Sequence, residues 1–378
     1  MATPNDYSDN AHWMLREIYE QPATLLAAAE RYTDGVSFRM KSCGHVLGWV
    51  GDIRSKLLIA ASGSSRHAGM AGELLIEDLS ALPVDVEYAS EYCYRSEKAL
   101  IDAAVMVVSQ SGETVDTLAA LRKAKLAGHQ TLAITNVEGS TMDREATVCF
   151  PTIAGCERSI PATKSFTAQL LNLYLIGLMS AVSRHALDAS ALSIRLSEIA
   201  RMPAQIEAQL RGWDDAARGI AGHYRMAENF LFLGRGIHYP IAREGALKLK
   251  ESAYLHAEGY PSGELKHGPN ALVAEGTPLV MLATVDRSED DSVQRYGKIV
   301  QLMRDMRRQG ARILAIANRG DTVVAGLADD TLFIDEMREP LLAISEVIPL
   351  QMFSYWMASH RGIDVDHPRN LNKAVLTE

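Results

Sequence analysis

Short apolar runs alternate with longer amphipathic segments along most of the chain. The short runs are rich in Leu, Ile, Val and Ala, which is typical of buried strands in a parallel sheet. The segments between them show the apolar spacing of helices. This alternation predicts an α/β fold, in which helices cover both faces of a parallel sheet. The predicted strands are residues 57–61, 84–88, 104–108, 130–135 and 148–151, followed by 229–233, 278–284 and 311–318.

The pattern occurs twice, which indicates an internal duplication. Residues 128–136, G-H-Q-T-L-A-I-T-N, closely match residues 310–318, G-A-R-I-L-A-I-A-N. Two copies of one α/β unit are therefore the simplest architecture. Between them, residues 170–218 are predicted to be helical, with a new segment beginning at Pro203. The first 45 residues are predicted to be a helical lead-in.

Composition and charge narrow the class of protein. Hydrophobic residues make up 47% and charged residues 22% of the 378 residues, which is typical of a soluble globular protein. The formal net charge is −9, and Lys and Arg form no block. We therefore expect no nucleic-acid partner and no anionic membrane partner. Anionic substrates remain compatible with the charge if a local pocket supplies hydrogen-bond donors.

Metal-binding and targeting signals are missing from the sequence. The cysteines are Cys43, Cys93, Cys149 and Cys156, and they include no C-x-x-C pair, so no zinc site is expected. The N-terminal decapeptide has no basic region and no apolar core, so it is not expected to be a secretion signal. The longest apolar run, 170–182, is predicted to be too short to span a bilayer. A cytoplasmic location is therefore expected.

One stretch combines a helix with several groups that can transfer protons. Glu244, Lys248 and Glu251 lie four and three residues apart, so they share one face of the predicted helix. The helix is predicted to break at 259–261, G-Y-P, and His267 follows the break. Two carboxylates, an ammonium and an imidazole can move protons beside a carbonyl. A solvated helix face with ion pairs explains the same spacing, and spacing alone favours it.

Two hydroxyl-rich turns follow neighbouring strands of the first copy, at the sheet edge where parallel sheets bind ligands. Residues 109–114, S-Q-S-G-E-T, supply three hydroxyls, an amide and the N–H groups of a helix start, which suit a phosphate. Neither this turn nor 62–65, S-G-S-S, matches a nucleotide P-loop or a dinucleotide fingerprint. A helix cap is the plainer explanation, but four hydrogen-bonding side chains exceed what a cap needs.

Two further segments allow more than one interpretation. Thr163 and Lys164 begin the predicted helix that follows residues 156–162. They would either line a third side of the binding site or be an ordinary helix N-terminus. The tail 364–373, D-V-D-H-P-R-N-L-N-K, is polar and rich in turn residues, and Pro368 blocks a helix there. Composition alone predicts a frayed tail, in which a single lysine has no role.

Four motifs in order resemble the isomerase half of the glutamine–fructose-6-phosphate aminotransferase family, also called glucosamine-6-phosphate synthase. The resemblance extends from about residue 14 to residue 378. It implies two tandem sugar isomerase (SIS) domains, each a five-stranded parallel sheet flanked by helices. It also implies a homodimer whose active sites borrow residues from the partner. The motifs are S-Q-S-G-E-T at 109–114, E-G-A-L-K-L-K-E at 244–251, G-E-L-K-H-G-P at 263–269 and D-V-D-H-P-R-N-L-N-K at 364–373.

The resemblance implies a role for each of these residues. Glu251 would move the proton between the first two sugar carbons, with Lys248 and Glu244 supporting the pocket. His267 would open the sugar ring, and Lys373 would form an imine with the open-chain ketose. An imine acidifies the neighbouring C–H, so a nearby carboxylate can remove that proton. The residues implied to hold the phosphate or to lie near it are Ser109, Gln110, Ser111, Thr114, Ser64 and Ser65.

Three departures from the family pattern affect the expected activity. No glutaminase domain and no N-terminal cysteine nucleophile precede the isomerase region, so glutamine is not expected to supply ammonia. The first loop reads S-G-S-S at 62–65, where the synthase has C-G-T-S. Ala162 occupies a substrate-site position at which the synthase carries a serine. The last two differences leave the preferred sugar open.

The expected activity is that of a phosphosugar aldose–ketose isomerase and deaminase, converting glucosamine 6-phosphate to fructose 6-phosphate and ammonia. The alternatives are a deglycase for a related fructosamine-type 6-phosphate, ammonia-dependent or partner-dependent glucosamine-6-phosphate synthesis, and a non-catalytic sugar-phosphate sensor. Glu251, His267 and Lys373 argue against the sensor, because binding alone needs none of them. No metal or organic cofactor is implied. The expected divisions are the lead-in 1–45, SIS domains at 46–200 and 201–362, and an active-site tail at 363–378.

Overall fold

The computed structural model describes residues 12–96 and 102–373 of the chain. The N-terminal decapeptide, part of the lead-in 1–45 and the last residues of the tail 363–378 lie outside the described residues.

The strands are β1 (Lys56–Ala61), β2 (Val84–Tyr88), β3 (Ala103–Ser109), β4 (Thr131–Thr135), β5 (Val148–Cys149), β6 (Asn229–Gly234), β7 (His256–Pro261), β8 (Pro278–Ala283), β9 (Arg312–Asn318) and β10 (Asp330–Ile334). The helices are α1 (Trp13–Tyr19), α2 (Gln21–Tyr32), α3 (Met40–Asp52), α4 (Gly63–Ser80), α5 (Ala89–Tyr92), α6 (Val115–Leu126), α7 (Thr141–Glu145), α8 (Lys164–Ser183), α9 (Ala189–Tyr224), α10 (His238–Ala253), α11 (Asp290–Arg308), α12 (Thr322–Leu327) and α13 (Glu339–His360).

The chain forms two compact units, each with its own parallel sheet. The first unit comprises residues 21–157 and 164–203 together with the chain from residue 372 onward. The second comprises residues 158–163 and 204–371 together with the chain up to residue 20. The predicted α/β class with two five-stranded parallel sheets is confirmed.

The sheet of the first unit has the strand order β2-β1-β3-β4-β5, and all of its pairs are parallel. Its central strands are buried on both faces, which explains why they read as continuous apolar runs. One face packs Leu58, Val105 and Ala133 against Leu121 of helix α6. This packing fixes the positions at which the strands end and the connecting loops begin.

The sheet of the second unit has the order β10-β9-β8-β6-β7, again with parallel pairs throughout. Leu279 and Met281 of β8 and Ile313 of β9 form a core with Met303 of α11. Two short 3₁₀ helices, Glu264–His267 and Pro269–Leu272, follow strand β7.

The prediction that residues 259–261 break the helix is wrong, because those residues lie in edge strand β7. Helix α10 instead ends at Ala253, and Tyr254 takes a left-handed conformation with φ of 56°. Gly259 is needed inside the strand because an added Cβ would lie 2.6 Å from the Cα of Arg243. Pro261 is tolerated at the end of this edge strand, where its missing N–H interrupts little of the sheet.

Two expectations about the long helices also need correction. Pro203 does not begin a new segment; it lies inside α9, which is 36 residues long. The apolar run at 170–182 belongs to α8, and α8 is long and apolar enough to cross a membrane, as is α13. In both helices, however, 94% of the most apolar 18-residue window is buried inside the protein. Helices that are apolar on all sides are typical of the cores of large domains as well as of membranes.

Candidate active site

The loop between β3 and α6, residues 109–114, gathers hydroxyl groups at the carboxyl end of a central strand. We call it the hydroxyl loop. Ser109 Oγ and Ser111 Oγ lie 3.3 Å and 3.5 Å from Thr114 Oγ1. Thr114 occupies the N-cap position of α6, but its side chain makes no capping hydrogen bond. A side-chain cap of α6 by Thr114 therefore does not account for this group of hydroxyls.

Glycine at position 112 lets this loop turn. Gly112 has a positive φ of 67°, and an added Cβ would lie 2.2 Å from Ser140 Oγ. Its N–H donates to Ser109 Oγ at 3.2 Å, and the N–H of Thr141 donates to Glu113 Oε1 at 2.7 Å. The loop is thus pinned on one side to the segment that begins α7, and Gln110, Ser111 and Thr114 remain half-buried.

The second hydroxyl-rich segment, residues 62–65, follows the neighbouring strand; it is the start of helix α4 rather than a turn, with Ser62 at the N-cap position. Strands β1 and β3 pair directly, with Ala61 opposite Val108, so both segments start at the same edge of the sheet. Ser64 and Ser65 are half-buried. Gln169 Nε2 donates to Ser65 Oγ at 3.0 Å.

Lys373 is anchored rather than frayed. Its Nζ lies 2.5 Å from Oε2 of Glu157, and the two residues are 216 positions apart in the sequence. The Glu157 side chain is fully buried, whereas the Lys373 side chain is 25% exposed. Sequence reasoning assigned no role to Glu157, because no spacing rule connects it with the tail.

In the second unit, α10 brings Glu244, Lys248 and Glu251 together, as their spacing predicts. We call these residues the triad. Lys248 Nζ lies 3.2 Å from Glu244 Oε1 and 2.6 Å from Glu251 Oε2. The interpretation as a solvated face is wrong, because the Glu244 and Lys248 side chains are fully buried and that of Glu251 is 21% exposed.

The charges of the triad depend on one another. Burial alone would lower the pKa of Lys248, but Glu244 and Glu251 outweigh it and hold the pKa above its ordinary value. Lys248 therefore keeps its positive charge inside the protein. A fixed ammonium beside a partly exposed carboxylate can stabilise negative charge while Glu251 transfers a proton.

His267 and Ala162 occupy different surroundings. His267 ends the 3₁₀ helix Glu264–His267 and is exposed. Within residues 12–96 and 102–373, no hydrogen bond or ion pair links it to the triad. Ala162 lies in the loop before α8 and is half-buried.

A buried charge cluster at the start of α10 was not predicted from the sequence. His238 donates through Nδ1 to Glu346 Oε2 at 2.9 Å and through Nε2 to Glu339 Oε1 at 3.1 Å. Burial alone would lower the pKa of His238, but the two carboxylates raise it to about 10. Burial would raise the pKa of Glu339, but His238 and Arg295 hold it at about 2. The cluster joins α10, which carries the triad, to α13. His238 lies 101 and 108 residues from the two glutamates, so no spacing rule connects it with them.

Among the described residues, no group of three or more His, Cys, Asp or Glu side chains is arranged to hold a metal ion.

Comparisons with known proteins agree with this architecture. The chain is 41% identical to glutamine–fructose-6-phosphate aminotransferase (isomerizing) from Chlorobaculum tepidum over 373 residues, which cover 97% of this chain and 58% of that protein. It is 40% identical over 370 residues to the protein of the same name from Aquifex aeolicus, with coverages of 97% and 58%. The chain thus spans about 58% of the length of these relatives.

A solved structure and a family model cover the same region. The C-terminal domain of glucosamine-fructose-6-phosphate aminotransferase from Francisella tularensis matches with a TM-score of 0.87 and 33% identity, covering 97% of this chain and all of that one. Residues 53–179 and 223–361 each match the SIS domain, one region for each sheet. The chain belongs to the SIS domain family, and it is homologous to the isomerase half of glutamine–fructose-6-phosphate aminotransferase.

Proposed function

We propose that this chain is a phosphosugar aldose–ketose isomerase that acts on aminosugars, converting glucosamine 6-phosphate and water to fructose 6-phosphate and ammonia. The observation that carries the proposal is the triad. Burying a lysine between two carboxylates costs folding free energy, and hydrophobic side chains at the same positions would pack as well. Only Glu251 of the three remains partly exposed, as a base that must reach a substrate has to be.

The first steps bind and open the sugar. The hydroxyl loop would donate hydrogen bonds to the phosphate, in the way that hydroxyl and N–H groups at a helix start bind anions. His267 would transfer the proton that converts the ring to the open-chain aldehyde. The resemblance to the synthase family supports a homodimer in which His267, which is exposed, serves the partner's site.

The following steps move a proton and release ammonia. Glu251 would remove the proton from C2 of the open-chain aminosugar and deliver it to C1, while Lys248 stabilises the charge that develops. The C2 amine becomes an imine as one of its N–H protons passes to O1, so that the C1 aldehyde becomes a CH2OH group. Lys373 would displace ammonia from C2 by forming its own imine, and water would then release fructose 6-phosphate.

A second candidate is synthesis in the opposite direction, and the names of the relatives favour it. The same residues catalyse both directions, since every step above is reversible. A cytoplasmic location is part of the proposal, because both apolar helices are buried within the protein and the substrates are polar sugar phosphates.

A panel of phosphorylated aminosugars tests the proposal, with ammonia and ketose phosphate measured together in each reaction. Glucosamine 6-phosphate is expected to release ammonia and fructose 6-phosphate in equal amounts. Release from a fructosamine-type 6-phosphate alone would indicate a deglycase instead. If no member of the panel releases ammonia or isomerises, although the protein is folded and binds sugar phosphates, the proposed function is wrong.

A further inference from the structure

Glu157 is a buried carboxylate that none of the steps above uses. It lies just before helix α8 and is held there by Ser165, whose N–H donates to Oε1 at 3.0 Å and whose hydroxyl donates to Oε2 at 2.8 Å. Lys373 Nζ also lies 2.5 Å from Oε2. These three residues belong to the first unit.

The two ends of this ion pair differ in exposure. The Glu157 side chain is fully buried, whereas Lys373 keeps a quarter of its side chain exposed. A carboxylate buried without compensation is costly, so Glu157 is stable where it lies because it has fixed donors and a cationic partner. The lysine can therefore meet a substrate while the carboxylate lies directly behind the lysine nitrogen.

An amine must lose a proton before it can attack a carbonyl carbon, because the ammonium has no free electron pair. We propose that Glu157 is the catalytic base for Lys373, an inference that rests on the proposed function. Glu157 Oε2 accepts a proton from the Lys373 ammonium. The free amine attacks C2 of the open-chain ketose, and a proton moves from nitrogen to the carbonyl oxygen to give a carbinolamine.

The same carboxyl completes the step. The proton held on Glu157 passes to the carbinolamine hydroxyl, which leaves as water, while the nitrogen electron pair forms the C=N bond. One C–O double bond is replaced by one C=N bond and one water, with no change of oxidation state. In deamination the departing group is ammonia, and Glu157 returns the proton to that nitrogen instead.

Borohydride trapping measures this step separately from the transfer of the C–H proton. Fructose 6-phosphate and borohydride are mixed with the enzyme, and mass spectrometry follows the addition of the reduced sugar to the peptide that carries Lys373. In Glu157→Gln the amide oxygen still accepts a hydrogen bond from Lys373 but cannot take its proton. We expect trapping to slow by about 100-fold or more, with an unchanged dissociation constant for fructose 6-phosphate.

Two further variants of Glu157 and two controls separate a base from an anchor. Glu157→Ala removes both the base and the contact that anchors Lys373, so it should trap sugar no faster than Glu157→Gln. Glu157→Asp keeps the charge and should recover part of the rate. Glu73→Gln removes a half-buried carboxylate of the same unit and should trap at the parental rate. Lys373→Arg keeps the charge and should trap nothing.

The outcomes distinguish this inference from the proposed function. Suppose that the trapping rate of Glu157→Gln lies within about tenfold of the parental rate, a smaller loss than removal of a general base causes, while Glu157→Ala traps slowly. Glu157 is then only an anchor for Lys373, and the inference is overturned. If Glu157→Gln does not fold, a parental trapping rate in Glu157→Ala overturns the inference, and a rate in Glu157→Ala that is lower by about 100-fold or more, with partial recovery in Glu157→Asp, supports it. If the parent itself traps no sugar on Lys373, the proposed imine fails whatever Glu157 does.

Discussion

Replacing Gly112 with alanine perturbs the hydroxyl loop directly. The added Cβ would lie 2.2 Å from Ser140 Oγ and 2.7 Å from Thr135 Oγ1. Ordinary van der Waals contact begins at 3.4 Å, so the loop and the Ser140 side chain have to separate by about 1.2 Å. Gly112 also has a φ of 67°, where an alanine costs about 1–2 kcal/mol of folding stability.

A shift of that size weakens hydrogen bonds from the loop, because they depend steeply on distance and angle. A hydrogen bond to a charged group contributes about 1.5–3 kcal/mol. Losing one to the substrate phosphate would therefore raise the dissociation constant of fructose 6-phosphate by about 10- to 150-fold. Calorimetric titration of the parent and of Gly112→Ala measures that change.

Gly128→Ala is the matched control, since it lies in the same unit. Gly128 also has a positive φ, of 81°, but an added Cβ there would meet nothing within 4 Å. We expect this control to lose stability without losing affinity for fructose 6-phosphate. If folded Gly112→Ala binds fructose 6-phosphate as tightly as the parent, the hydroxyl loop does not hold the phosphate.

Three other changes test further parts of the site. Ser111→Ala should weaken binding of a 6-phosphosugar by about 1–3 kcal/mol, and an unchanged Michaelis constant would count against a phosphate contact. Lys248→Met removes the ammonium between two carboxylates and should lower the free energy of unfolding, measured in urea, by about 3–5 kcal/mol. A loss below about 1 kcal/mol would show that the buried ion pairs of Lys248 contribute no more than a surface ion pair does. Because the pKa of His238 is raised from 6.5 to about 10, its contribution to stability is fully present below pH 6.5 and is lost as the pH rises through 10. The difference in free energy of unfolding between the parent and His238→Gln should therefore shrink from pH 6 to pH 10, and a constant difference would refute the charged histidine.

The central strands are predictable from the sequence because both of their faces are buried. Residues 278–284, for example, are predicted as a strand and differ from β8 by one residue. At the sheet edges the outcome varies, because a strand there tolerates the residues that usually mark turns. Edge strand β2 is predicted with its observed bounds, 84–88, whereas edge strands β7 and β10 are not predicted. In β7 the glycine that suggests a break serves instead to let the backbone of α10 approach closely.

The site is predictable only where its residues are close in sequence. The spacing of Glu244, Lys248 and Glu251 determines that they share a helix face, but their burial depends on packing against distant helix α13. The contact between Glu157 and Lys373 spans 216 residues, and no local pattern encodes it. The resemblance to a known family identified the lysine, but its carboxylate partner became evident only from the structure.

The central claim is that this chain moves the proton between C2 and C1 of a phosphorylated aminosugar through Glu251. Glucosamine 6-phosphate labelled with deuterium at C2 tests it directly, with the position of the label followed by nuclear magnetic resonance. With the parent enzyme we expect deuterium to leave C2, as fructose 6-phosphate and ammonia appear. Glu251→Gln should slow this loss by about 100-fold or more while still binding the sugar. Deuterium that stays at C2 with the folded parent enzyme, or that leaves equally fast with Glu251→Gln, would contradict the account.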